Sequence, residues 1–149
     1  MSDDYRRAVP PALLIVPDET ESFGRGPGIV TRPYFGAWNA SDAQLTAAVT
    51  EFAPGTGLPE HSHNVEESVL VLSGEATAVI DGQRIDFGAA EAVRVPAGTV
   101  HSLSNRGSAE LVVYSVFGGP DVVRTIAATG ETIPHFPEKA GSPAPRQEG

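Results

Sequence analysis

No window of helix length keeps apolar residues at i, i+3, i+4 and i+7. The chain therefore offers no amphipathic helix on which to build a core. Short runs rich in β-branched and aromatic residues take the place of such a helix, and Gly, Pro, Asp and Asn separate them. The runs predict strands over residues 29–35, 44–52, 66–72, 76–80, 84–87, 92–95, 102–104, 111–117 and 122–127. Asp81-Gly82 joins two of them as a hairpin turn, because that turn needs positive φ and glycine supplies it freely. Ser73-Gly74 separates another pair. Regularly spaced short strands with turn residues between them point to an all-β sandwich or barrel. Sixteen glycines and thirteen prolines in 149 residues fit such a turn-rich fold, and the length suits one domain, about 100–200 residues being usual.

Composition removes whole classes of function. The formal net charge of −9 repels phosphate backbones, so no nucleic-acid partner is expected. There is no cysteine, which excludes disulfides, cysteine nucleophiles, thiolate zinc sites and iron–sulfur clusters. Any metal must sit on His, Asp or Glu. No stretch approaches the ~20 apolar residues of a membrane-spanning helix, so no membrane partner is expected and a cytoplasmic location is the expectation. Arg6 and Arg7 followed by the apolar residues 8–16 imitate a short signal sequence, but Pro10 and Pro11 interrupt it and no small-x-small site follows. The segment reads as a short strand or extended arm. The tail at 141–149 is too polar to offset its ordering entropy and is expected to be disordered.

Three of the four histidines fall into a pattern with one glutamate. In an extended strand, residues i, i+2 and i+4 share a face. His61, His63 and Glu67 have the same parity, whereas Glu66 has the opposite one and is expected to point away. Val69 and Val71, in step with Glu67, would line the interior beyond the site. His101 must come from a different strand. Three neutral imidazoles and a carboxylate suit a first-row divalent ion. Four protein ligands leave one or two coordination positions open, unlike a closed structural zinc site, so the arrangement reads as a reaction site.

These segments resemble the two motifs of the cupin superfamily. The first (Gly, five residues, His-x-His, three residues, Glu, six residues, Gly) is matched in full from Gly55 to Gly74. In the second, Pro96, Gly98, His101 and Asn105 match. The usual leading glycine is replaced by Ala90, followed by Glu91 where Asp is common, and Gly88 is expected to take over that turn. The resemblance spans about residues 44 to 117. It implies a single-domain double-stranded β-helix, a jelly-roll β-barrel, with His61, His63, Glu67 and His101 as ligands of a metal inside it. The chain then divides into an N-terminal arm at 1–27, a barrel domain at 28–134 and a C-terminal tail at 135–149. Gly74 and Gly98 permit turns closed to other residues, and Pro96 ends a strand and fixes the approach to His101.

Other residues carry weaker signals. His135, in Pro134-His135-Phe136-Pro137, lies outside both motifs and reads as a surface or packing residue. Tyr114 sits in an apolar run. Core packing is its default role, and a substrate-facing proton donor is the alternative. Phe35, Trp38 and Phe52 read as core residues that can also line a pocket. Arg32 and Arg94 can meet an anionic substrate, although the parity of Arg94 puts it on an outer face. Asn105 is expected to make a local turn hydrogen bond.

Three functional classes fit a metal cupin acting on a small molecule. The preferred one is an Fe(II)-type dioxygenase, with Glu67 able to act as general base. The second is a redox-neutral isomerase, lyase or hydrolase that uses the metal as a Lewis acid, for which Tyr114 and His135 are the available acid–base groups. The third is a non-catalytic small-molecule binder. Fe2+ is the favoured ion, with Mn2+, Ni2+, Zn2+ or Cu2+ as alternatives. A homodimer is the expected assembly, with strands 29–35 and 122–127 at exposed edges.

Overall fold

The computed structural model of the chain describes residues 13–16, 18 and 20–137. The expectations for the arm at 1–12 and the tail at 141–149 lie outside these residues. Among the described residues there are twelve strands and no helix long and apolar enough to cross a membrane.

One antiparallel sheet contains β1 (Phe23–Gly24), β2 (Ile29–Phe35), β3 (Thr46–Phe52), β5 (Glu67–Ser73), β8 (Ala92–Val95) and β10 (Leu111–Phe117), in the order β1-β2-β3-β10-β5-β8. The facing sheet contains β4 (Gly57–His63), β6 (Glu75–Ile80), β7 (Gln83–Gly88), β9 (His101–Ser104), β11 (Val123–Ile126) and β12 (Thr132–Pro134), in the order β12-β11-β4-β9-β6-β7. Every pairing is antiparallel. This two-layer arrangement is the jelly roll that the run of short strands predicted.

The period-2 alternation of the sequence builds the core. In β10, Leu111, Val113, Ser115 and Phe117 are buried while the residues between them are half-buried. Ile29, Phe52, Val69, Val71, Ala76, Ala78, Leu111 and Val113 join in one apolar cluster between the sheets, where area removed from water supplies the main drive to fold. Phe52 is fully buried. Asn105 is also buried. Its Nδ2 donates to the carbonyls of Phe52 (3.0 Å) and Ala109 (2.8 Å), and its Oδ1 accepts from the Gly107 N–H (3.0 Å). The expected turn bond is present, together with two bonds that tie the turn to the core.

Neither strand expected at an exposed edge lies there. β1 covers β2 and β12 covers β11. Strands of two and three residues are too short to show a periodicity in sequence, and short strands are a common way of finishing a sheet edge. Residues on both sides of 28–134 bond to the sheets. Thr20 donates to the Pro33 carbonyl (2.7 Å), β1 extends the sheet, and the His135 N–H reaches the Val122 carbonyl (2.9 Å).

The turns hold one correction. Asp81 (φ 50°) and Gly82 (φ 79°) form the expected hairpin between β6 and β7. Before β8, however, the left-handed residue is Ala90 (φ 67°), and Gly88 does not replace it. The loop is held in that shape from both sides. The Glu91 N–H reaches the Gly88 carbonyl (2.9 Å), the Ala90 N–H reaches the Val71 carbonyl (2.9 Å), and Val71 returns a bond to Glu91 O (3.0 Å). A left-handed backbone costs an L-residue about 1–2 kcal/mol. Ala90→Gly is therefore expected to stabilise the protein by about 1 kcal/mol, part of the relief being offset by the greater unfolded-state freedom of glycine. A urea midpoint that stays put or falls, at unchanged m-value, would contradict the left-handed assignment.

Candidate metal centre

His61 and His63 lie on β4, which falls outside the strand runs that the residue pattern predicts. Its residues, Gly-Leu-Pro-Glu-His-Ser-His, show no β pattern. Pro59 has no N–H for the ladder, and pairing with β9 slips between Leu58 and His61. The two inward positions that would otherwise be apolar are the two histidines. His101 opens β9 and stands directly across from His61.

Glu67 reaches the same point by a different route from the one its parity suggested. The backbone is not extended from 61 to 67. It leaves β4 at His63, crosses from one sheet to the other through residues 64–66 and begins β5 at Glu67. Asn64 secures the crossing: its Oδ1 accepts from the Val123 N–H (2.9 Å) and its Nδ2 donates to the Asp121 carbonyl (2.8 Å). The glutamate therefore faces the three imidazoles from the opposite layer. Glu66 points outward, as expected, and pairs with Arg94 on the surface at 2.7 Å.

All four side chains are buried, each less than a tenth exposed. The ligand atoms of His61, His63 and His101 lie within 4.8 Å of one another. Glu67 Oε1 is 3.2 Å from His101 Nε2 and 3.6 Å from His63 Nε2. Each imidazole is oriented from behind by a backbone carbonyl. His61 Nδ1 bonds Pro59 O (2.7 Å), His63 Nδ1 bonds Val123 O (2.8 Å), and His101 Nδ1 bonds Thr99 O (2.9 Å). A carbonyl only accepts, so Nδ1 carries the proton in each ring and the neutral form presents a bare Nε2 to the centre. His63 Nε2 is buried with no hydrogen-bond partner. In the neutral rings, the His101 lone pair and the Glu67 carboxylate face each other and repel, which either a proton on Nε2 or a metal cation between them relieves. Buried Nε2 donors, one orphaned, beside a carboxylate fit a divalent transition ion.

The electrostatics of the metal-free site agree with this. Burial lowers the His61 pKa to about 4, and burial also depresses His63. Burial works against the charged forms of Glu67 and His101 too, but their mutual hydrogen bond wins: Glu67 is shifted down and His101 up. Unfolded, His61 takes up its proton near pH 6.5. Folded, it does so only near pH 4. The unfolded chain binds the extra proton between these values, so stability is complete above about pH 6.5 and falls as the pH drops toward 4. His61 alone is expected to remove about 3 kcal/mol from the metal-free protein. His63 acts in the same direction and His101 against it. Denaturation of chelator-treated protein at pH 7 and pH 4.5 checks this, and equal stabilities would mean that the imidazoles are not held neutral.

The centre opens on a narrow cavity of about 30 Å³ with largely apolar walls. Val69 contributes as expected, joined by Leu58, Ile80, Val93, Val113 and Phe117, whereas Val71 packs into the apolar core and is not in the lining. Phe52 lines it from the core. Trp38 packs on Phe136 (ring centroids 5.4 Å apart) outside it. Tyr114 does not come to the site. It points to the other side of β10, against Tyr34 (6.1 Å), where burial raises its pKa. Arg32 is also remote from the cavity, held by the Thr20 carbonyl and by Asp18 at 3.5 Å.

Two residues that the motifs do not mark line the cavity. His135 is buried, its ring 4.5 Å from that of His63, and burial holds it well below its usual pKa. It is buried, not on the surface, and lies beside the candidate ligands. Arg25, from the β1–β2 turn, reaches His135 Nδ1 at 3.4 Å. In sequence, only the flanking prolines of His135 and the glycine-rich turn around Arg25 set them apart, and neither is a signal for a site.

A sequence model described as the cupin domain matches residues 48–117. Auxin-binding protein 1 of Arabidopsis thaliana is 26% identical over 111 residues, 68% of this chain and 56% of that protein. The chain thus spans little more than half the length of this curated relative. Among solved structures, an oxalate decarboxylase from Lactobacillus farciminis superposes with a TM-score of 0.65 at 20% identity, covering 72% of this chain and 33% of that one. A putative sugar phosphate isomerase from Acidithiobacillus ferrooxidans superposes with a TM-score of 0.59 at 20% identity, covering 80% and 79% respectively. At such identities the structural likeness speaks for the fold alone. With both sequence motifs in place on facing sheets and the domain match across them, the chain contains a cupin domain over residues 48–117.

Proposed function

We propose that this cupin is a mononuclear metal-dependent enzyme acting on a small organic molecule, with His61, His63, His101 and Glu67 as ligands, and that its reaction is of the Fe(II) dioxygenase type. The observation that carries the metal reading is the set of three Nδ1–H bonds to backbone carbonyls, which commits three Nε2 lone pairs to one point beside a carboxylate. When bound, Fe(II) would supply Lewis acidity and electrons for chemistry with O2. The chain's own residues do the rest. The apolar walls from Val69, Val93, Val113 and Phe117 exclude water and receive the carbon skeleton. Glu67, buried and anionic, is placed to take a proton from an enol or phenol hydroxyl at the centre.

His135 favours a second reading. A buried, neutral imidazole beside His63 is the extra acid–base group that a redox-neutral isomerase or lyase needs. The two readings separate in one experiment. Elemental analysis of the purified protein identifies the ion, and oxygen uptake by Fe(II)-loaded protein is measured over a panel of diketones, flavonols and catechols. Uptake with product formation supports the oxygenase. Product without uptake, lost in His135→Ala, supports the Lewis-acid enzyme. Binding without any product would make the chain a small-molecule binder and overturn both.

A further inference from the structure

The cavity carries a positive device that the metal reading leaves unused. Arg25 is fixed on almost every side. Its backbone N–H bonds Ile29 O (2.9 Å), and its Nε donates to Thr31 Oγ1 (2.7 Å). Its guanidinium carbon lies 4.8 Å from the Phe23 ring centroid and 5.5 Å from that of Phe136. Nη1 approaches His135 Nδ1. The remaining nitrogen, Nη2, is buried without a hydrogen-bond partner. Arg124 lines an adjoining pocket that shares Arg25, His61 and His135 with this cavity. It stands across the β4–β11 ladder from His63, and cross-strand partners share a face. Its Nε is likewise buried and unpartnered. Among the described residues neither arginine has a carboxylate within salt-bridge distance. A role confined to stapling β1 onto β2 uses Nε and the guanidinium faces. It leaves the two orphan donors unexplained, and a buried charge without a partner is costly.

We propose that Arg25, assisted by Arg124 from the adjoining pocket, binds the carboxylate of a small organic acid whose remaining part reaches the metal centre. This rests on the reading of the cavity as a small-molecule site and adds the class of substrate. Two directed N–H donors suit the two oxygens of a carboxylate, and the apolar wall beyond them suits a short hydrocarbon chain. Arg25 is a binding residue here, placed beside His135.

The test uses butanoate as probe, with butanamide as its uncharged isostere and inorganic phosphate as a second anion. Binding is followed by calorimetry on both Zn(II)-loaded and chelator-treated full-length protein, and Zn(II) affinity is measured separately. Butanoate is expected to bind at least about 10-fold more tightly than butanamide, because a hydrogen bond to a charged group is worth that much or more. Arg25→Gln is expected to weaken butanoate by about 10-fold or more and to leave Zn(II) affinity and butanamide unchanged. Arg124→Gln, on a half-exposed strand that tolerates it, is expected to weaken butanoate by a smaller factor and serves if Arg25→Gln fails to fold. Equal binding of butanoate and butanamide, or wild-type butanoate affinity in both variants, overturns the proposal. Phosphate binding more tightly than butanoate overturns the carboxylate assignment. If Zn(II) fails to bind while chelator-treated protein still prefers butanoate in an Arg25-dependent way, the metal reading falls and this inference stands.

Discussion

His63→Ala is expected to lower the affinity for a divalent ion by at least 10²-fold and to abolish turnover with it. Losing a partner that merely orients a ligand already costs about 10–100-fold, and here the ligand itself is removed. His63 is the sharpest of the four to test because its Nε2 is buried with no protein partner, 3.6 Å from Glu67. In the metal-free protein that nitrogen contributes no bond, so its loss falls on metal binding. The ring packed on Phe117 (centroids 5.1 Å apart) and the Nδ1–H bond to Val123 O (2.8 Å) are lost as well, at an expected cost to the fold of about 1–3 kcal/mol. Competition with a chromophoric chelator measures the affinity. His135→Ala is the matched control, since it removes a neighbouring buried imidazole outside the proposed ligand set. Equal affinities of His63→Ala and wild type would remove His63 from the centre.

Gly74→Ala is expected to destabilise the protein by about 3 kcal/mol or more. Gly74 has φ +86°, and a Cβ there would stand 2.4 Å from the Glu110 carbonyl oxygen and 3.0 Å from Leu111 Cα. The left-handed backbone costs about 1–2 kcal/mol, and forcing neighbours apart in a packed region costs about 1–3 kcal/mol more. The obstructing atoms are backbone at the start of β10, the strand in the middle of its sheet, so no side chain can swing aside. Domains of this size are stable by only about 5–15 kcal/mol, so the loss is a large share of the whole. Chemical denaturation checks it, and a change below about 1 kcal/mol would contradict the close approach.

The parts of the fold visible in sequence are those set by local pattern. The alternating run from Leu111 to Phe117 and the Asp81-Gly82 turn are where the residues placed them. What stayed hidden depends on partners distant in the chain. β1 and β12 are too short for any period and exist because longer strands offer them an edge. β4 was missed because its inward positions are histidines and its ladder tolerates Pro59. A strand whose inner face is a site does not look like a strand. Glu67 was identified by a parity argument that assumed continuous extension, yet the chain crosses between the sheets after His63, and the family spacing is what marks this residue. Ala90 shows the opposite case: the second motif's missing glycine pointed to the correct place, and the structure keeps the left-handed turn with an alanine in it. Arg25 and His135 join the centre only through the three-dimensional arrangement, 110 residues apart in sequence.

X-ray absorption of the metal-loaded protein, with the metal content of the same sample, tests the central claim most directly. The account predicts one ion per chain, bound by three imidazole nitrogens and a carboxylate oxygen at about 2.0–2.2 Å, with the imidazole scattering reduced in His63→Ala. A sample that takes up no ion from divalent salts, or one whose ion shows only oxygen neighbours, would contradict it.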